Sequence, residues 1–153
     1  MTPEEILSYP PKILTQEHRE HYFEYGFVGI EDLVPSETLN LIKKVTNEFV
    51  EKSRKVTESN NVFDIGPGHS YDNPILRRLK SPDENHEEYW NFSKGLMADV
   101  ASDLVGPNVT FHHSKLNFKW YDESDTVKWH QDIQFFPHTC LLYTSPSPRD
   151  RSI

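Results

Sequence analysis

Lys128-Trp129-His130-Gln131-Asp132-Ile133-Gln134-Phe135-Phe136-Pro137 is the stretch from which the fold of this chain is read. It sets an imidazole and a carboxylate two residues apart within a run of aromatic and branched side chains. On an extended strand, residues i and i+2 point to the same face, so His130 and Asp132 can hold one metal ion together. Such a pair offers one nitrogen and one oxygen to a cation such as Fe(II). A second His from elsewhere completes a facial triad that leaves positions open for substrate and oxygen. The same pair also suits an ordinary strand histidine beside a solvated aspartate, so the flanking segments decide between the two readings.

Composition bounds the answer. A chain of 153 residues fits one domain or a piece of a larger one, and 35% hydrophobic with 12% aromatic residues supports a modest core. Met1 to Pro11 carries Glu4, Glu5 and prolines where a secretory signal has basic residues and then an apolar run. No stretch has the length and apolarity of a membrane span, so no membrane partner is expected. The formal charge of −8 argues against general nucleic-acid binding, which needs a basic face to displace counterions, and leaves small-molecule chemistry open. Cys140 is the sole cysteine, so no intrachain disulfide forms and a reducing, cytoplasmic setting is the default.

The end of the chain reads as foreign. Cys140-Leu141-Leu142-Tyr143-Thr144-Ser145-Pro146-Ser147-Pro148-Arg149-Asp150 resembles the conceptual translation of a sequencing-library adaptor; the alternative is a genuine Pro/Ser-rich linker. The expected division is therefore residues 1–139 as the natural part and 140–153 as a foreign tail. On this reading the natural protein continued where the adaptor begins.

Within residues 1–139, Leu14, His18, Tyr22 and Tyr25 recur at helical spacing, with Thr15 as N-cap and Gly26 just past the end. Phe27-Val28-Gly29-Ile30 reads as a short strand. A second helix starts at Val34-Pro35-Ser36 with Ser36 as its cap and buries Leu39, Ile42, Val45 and Phe49, its Lys and Glu residues forming a solvated face. From Thr57 to Pro74, Asn60-Asn61, Gly66-Pro67-Gly68 and Asn73-Pro74 mark turns around a short strand from Val62 to Ile65. Ser81-Pro82-Asp83-Glu84 reads as a capping box with proline at the first helical position. The helix it opens turns Tyr89, Trp90, Leu96, Met97, Val100 and Leu104 toward a core, breaks near Gly95 and ends at Gly106-Pro107.

The next segment alternates. Between Asn108 and Tyr121 one strand face carries His112, Ser114, Leu116, Phe118 and Trp120, the other Phe111, His113, Lys115, Asn117 and Lys119. His112 and His113 would point to opposite faces and could not share an ion without a bulge. Lys115, Asn117 and Lys119 put two cations and an amide on one face, a surface able to grip a carboxylate. Asp122 to Asp125 turns the chain, and the His130 strand follows as a hairpin partner. A metal beside a carboxylate-binding surface describes a site for a chelating oxo acid.

Gly106-Pro107-Asn108-Val109, Ser114-Lys115-Leu116-Asn117-Phe118-Lys119 and Trp129-His130-Gln131-Asp132, taken in order, resemble the phytanoyl-CoA dioxygenase family of Fe(II)- and 2-oxoglutarate-dependent oxygenases. Leu14 to Glu17, Gly26-Phe27 and Asn73 to Leu79 fit the same family, so the resemblance covers nearly all of residues 13–138. It implies a mainly β fold with N-terminal helices (α+β), here an incomplete double-stranded β-helix, a cupin-like jelly roll. His130 and Asp132 match the first two metal ligands. Asn117 matches a 2-oxoglutarate contact of ectoine hydroxylase-like members, Lys115 shares its face, and Arg78 falls where other members place a basic cosubstrate contact. The distal His and the Arg that pairs with the far carboxylate belong past residue 139, and His138 is too close to His130 to replace the former. The implied activity is hydroxylation of a small-molecule substrate with O2, coupled to decarboxylation of 2-oxoglutarate, with the chain as written expected to be inactive. A non-catalytic cupin-like module that binds a small molecule is the other reading.

Overall fold

A computed structural model describes residues 1–120 and Trp129. His130, Asp132, the hairpin expected around them and residues 140–153 lie outside the described residues. The described chain divides into two compact units, residues 1–33 with 94–111, and residues 34–93 with 112–120 and 129.

The first unit is helical. Helix α1 (Pro3–Leu7) opens with a capping box, in which Thr2 Oγ1 accepts from the Glu5 amide at 3.3 Å and the Glu5 carboxylate accepts from the Thr2 amide at 2.7 Å. Helix α2 (Gln16–Tyr25) starts and stops where its caps predict: Thr15 Oγ1 accepts from the His18 amide, and Gly26 closes the helix at φ 78°. Leu14, just before it, is buried as expected and His18 and Tyr22 are half-buried, but the rest of its inward stripe differs. Arg19 is the buried residue and Tyr25 stands 52% exposed. Phe27 to Ile30 forms no strand; Phe27 is exposed and its ring meets His21 edge-on, since the described residues offer no partner strand there.

Arg19 is buried because it is fully engaged. Its guanidinium donates to the backbone carbonyls of Ile6, Tyr9 and Asp103, tying α1 and α2 to helix α6 (Ala98–Val105). The Asp103 carboxylate in turn accepts from the backbone amides of Lys12, Ile13 and Leu14, each at 2.8 Å. Burial works against a charge on Asp103. The three amides and the nearby Arg19 charge outweigh it and hold the carboxyl below the ordinary aspartate value.

The second unit is a helix-backed sheet. Helix α3 (Ser36–Ser53) follows Pro35 with no side-chain cap, so Ser36 is its first residue rather than its cap. Val45 and Phe49 face inward as expected and Ile42 is half-buried, whereas Leu39 is 42% exposed. Strands β1 (Phe63–Ile65), β2 (Leu76–Lys80) and β3 (Lys115–Asn117) form one antiparallel sheet in that order. Helix α4 (Pro82–Asn85) begins with Pro82 as predicted, but Ser81 sits in the left-handed region and makes no capping bond. The expected long helix is divided: α4 ends at Asn85, His86 caps a new helix α5 (Glu87–Phe92) through Nδ1, and Gly95 breaks the chain before α6 at φ −92°, ψ −111°. Tyr89 on α5 completes the core with Val45, Phe49 and Leu79, and its hydroxyl meets Thr46. Burial pushes that hydroxyl above its ordinary value, against the opposing hydrogen bond. Trp90, also expected inside, is 40% exposed.

Within the described residues helix outweighs strand, so the expected mainly β character is not seen there; these residues form helices with a small antiparallel sheet. No helix among these residues is long and apolar enough to cross a membrane.

Candidate functional site

The second unit's sheet has two unlike faces, and a bulge creates the difference. Asp64 pairs with Arg78 but the next residue, Ile65, pairs with Leu76, so Arg77 is the extra residue on β2. Without it, Leu76 and Leu79 would point to opposite sides. With it, both are fully buried, and Phe63, Leu79 and Leu116 stand in register on the side covered by α3 and α5. Trp120 Nε1 donates to the Leu76 carbonyl at 2.8 Å beside the bulge.

The alternate residues form the other face. Asp64, Arg78 and Asn117 lie in one row across the three strands, and Arg78 Nε donates to Asn117 Oδ1 at 3.1 Å. That bond uses the amide oxygen of Asn117, so its NH2 is the end available to a ligand oxygen. Lys115 is two residues away on the same exposed strand face, opposite Lys80, whose Nζ donates to the Asn60 carbonyl at 2.8 Å. Lys119 is exposed in the same phase, while Ser114, Leu116, Phe118 and Trp120 are half-buried. The alternation expected from the sequence is therefore present from Ser114 to Trp120. A guanidinium, an ammonium and an amide on one face have the donor chemistry for a carboxylate.

Arg78 and Asn117 are thus brought together, with Lys115 beside them. What periodicity alone did not reveal is that β3 pairs with β2; this contact joins residues 39 positions apart. Residues 111–114 also differ from expectation. They are not in a strand, so the alternation argument does not apply, and the His112 and His113 rings meet with centroids 4.7 Å apart instead of diverging. Among the described residues no three His, Cys, Asp or Glu side chains converge as a metal site.

The second unit is thus a helix-backed antiparallel sheet whose opposite face carries a guanidinium, an ammonium and an amide. The chain belongs to the phytanoyl-CoA dioxygenase family, whose model matches residues 22–153. It is also similar to a protein of Stutzerimonas stutzeri described as "Probable alpha-ketoglutarate-dependent hypophosphite dioxygenase", with 25% identity over 124 residues. That alignment covers 80% of this chain and 43% of the relative, so the chain spans less than half the length of the curated relative it matches. No solved structure matches significantly.

Proposed function

We propose that this chain supplies part of the active site of an Fe(II)- and 2-oxoglutarate-dependent dioxygenase that hydroxylates a small organic substrate, built on a cupin-like jelly roll. The observation that carries this reading is the Arg78–Asn117 pair on the sheet face opposite α3 and α5, with Lys115 in phase with it. These residues fit the cosubstrate: Arg78 and Lys115 offer positive charge, and the Asn117 NH2 offers a neutral donor to a carboxylate oxygen.

His130 and Asp132 are the residues that would hold the iron, through one imidazole nitrogen and one carboxylate oxygen; both lie outside the described residues. Bound iron with 2-oxoglutarate and O2 supplies the oxidising chemistry, releasing succinate and CO2. The sheet face would fix the cosubstrate's orientation, while α3 and α5, packed on the opposite side, hold in place the strands that carry it. The partner set is a small-molecule substrate and O2.

The test is direct. Co(II), a spectroscopic surrogate, is titrated into the chain, and the His130→Ala and Asp132→Ala variants are each expected to bind it more weakly. Adding 2-oxoglutarate to the loaded chain should shift the NMR signals of Arg78, Asn117 and Lys115. Unchanged Co(II) affinity in both variants, or shifts confined to other residues, overturns the assignment. A non-catalytic cupin-like binding module would bind the same ligands without releasing succinate.

A further inference from the structure

The Gly66–Ile75 loop between β1 and β2 is closed by hydrogen bonds at every turn. The Gly66 amide donates to the Ile75 carbonyl at 2.8 Å, the Ser70 amide to the Asn73 carbonyl at 2.9 Å, and the Asn73 amide to Ser70 Oγ at 3.0 Å. Arg54, just past α3, donates to the Tyr71 carbonyl at 2.7 Å. At the centre is His69. Its Nδ1 accepts from the Ile75 amide at 2.8 Å, and its Nε2 lies 3.0 Å from the carbonyl of Ser53, the buried last residue of α3.

These two partners determine the ring's chemical form. A backbone N–H only donates and a carbonyl only accepts, so Nδ1 must be bare and Nε2 must carry the proton. The imidazole is therefore a bridge with a fixed direction from the end of α3 to the residue before β2. Ile75 is 3% exposed, and Arg78 lies three residues on, just past the bulge at Arg77 that decides which face each β2 side chain takes.

We propose that His69 is a positioning residue for the Arg78–Asn117 face: as the neutral Nε2–H tautomer it anchors the start of β2 to α3 and so sets the place of the Arg78 guanidinium. Its functional consequence rests on the reading of Arg78 as a cosubstrate contact; the positioning itself does not.

The test uses the intact chain. Long-range proton–nitrogen NMR of the imidazole should show a proton on Nε2 and none on Nδ1; the opposite tautomer overturns the proposal. His69→Ala and His69→Gln, which leave no acceptor at the Nδ1 place, should speed hydrogen exchange of the Ile75 amide at least about tenfold and displace the Arg78 Nε–H signal. His69→Asn, whose Oδ1 can occupy that place, should restore both. Amides of Val45 and Phe49 in α3 should exchange as in the parent. Uniformly faster exchange through α3 would mean a merely structural role, and an unmoved Arg78 signal in His69→Ala would remove the positioning claim. If these NMR results hold but 2-oxoglutarate perturbs neither Arg78 nor Asn117, the cosubstrate reading fails while the role of His69 stands.

Discussion

Arg78 and Asn117 face each other across β2 and β3, the guanidinium Nε donating to the amide oxygen at 3.1 Å. The pair is a preorganised donor surface. Holding the Asn117 oxygen on Arg78 turns the amide nitrogen toward any ligand, and the cross-strand register keeps the two side chains together without a ligand present. On the proposed reading, replacing Asn117 by Ala removes a hydrogen bond to a carboxylate oxygen of the cosubstrate, which would contribute about 1.5 to 3 kcal/mol. The apparent affinity for 2-oxoglutarate should fall about 10- to 150-fold, read by titration of the metal-loaded protein. Arg78→Lys should not rescue an Arg78→Ala loss, because an ammonium lacks the planar fork that reaches both Asn117 and a carboxylate.

How much of this was legible in the sequence differs by residue. The ends of α2 were readable because Thr15 and Gly26 are local capping chemistry that needs nothing distant. The Lys115–Asn117 face was readable because strand alternation is also local. Arg19 was not, since a buried arginine is stable only through carbonyls of Ile6, Tyr9 and Asp103 that no periodicity places beside it. The Ser81 capping box failed for a similar reason. Ser81 follows directly on β2, and its left-handed backbone carries the side chain away from the amides it would cap. Asn85 instead takes the Ser81 carbonyl.

Gly66 is required by close approach rather than by its dihedral angles. A Cβ there would lie 2.7 Å from Ile75 Cγ2 and 3.1 Å from Arg77 Cγ, and Ile75 is buried with little room to give. Gly66→Ala should cost about 1 to 3 kcal/mol, measured by urea unfolding, and should weaken protection of the Ile75 amide. A variant as stable as the parent would mean that the loop relaxes freely.

Asp103 makes stability depend on pH. Burial opposes its charge, but the amides of Lys12, Ile13 and Leu14 and the Arg19 charge prevail and hold its folded value below the ordinary one. A depressed carboxyl contributes stability that is fully present above the unfolded-state value of about 3.9 and is lost as pH falls through the lower folded value. Asp103→Asn should therefore be destabilised near neutral pH, by about 1.5 to 3 kcal/mol for each charged hydrogen bond that the amide cannot replace. The gap between variant and parent should narrow as the pH is taken below about 4. Urea midpoints measured from pH 7 down to 3 check this; a gap constant over that range would show that the carboxylate charge is not what holds residues 12 to 14.

The adaptor reading of residues 140–153 makes its own prediction. Deleting them should leave the melting temperature unchanged, whereas a fall of several degrees would assign them to the folded domain.

Metal ligation and cosubstrate binding should fail in different ways. In the full-length protein, His130→Ala removes one of the side chains proposed to hold iron, and without iron no 2-oxoglutarate is decarboxylated, so iron-dependent succinate release should vanish at every cosubstrate concentration. Asn117→Ala leaves the proposed metal ligands in place. Its defect should appear as a raised requirement for 2-oxoglutarate, with turnover recovering as the cosubstrate approaches saturation, the pattern of an interaction made equally in the bound ground state and the transition state. Lys115→Ala should resemble Asn117→Ala and lose affinity more steeply at low ionic strength, because its contribution is charge on an exposed strand face that salt screens. Succinate release measured across a 2-oxoglutarate titration at saturating iron separates the two patterns. Parental turnover in His130→Ala would remove His130 from the metal site, and a pure loss of maximal rate in Asn117→Ala would place that residue at the reacting atoms rather than on the carboxylate.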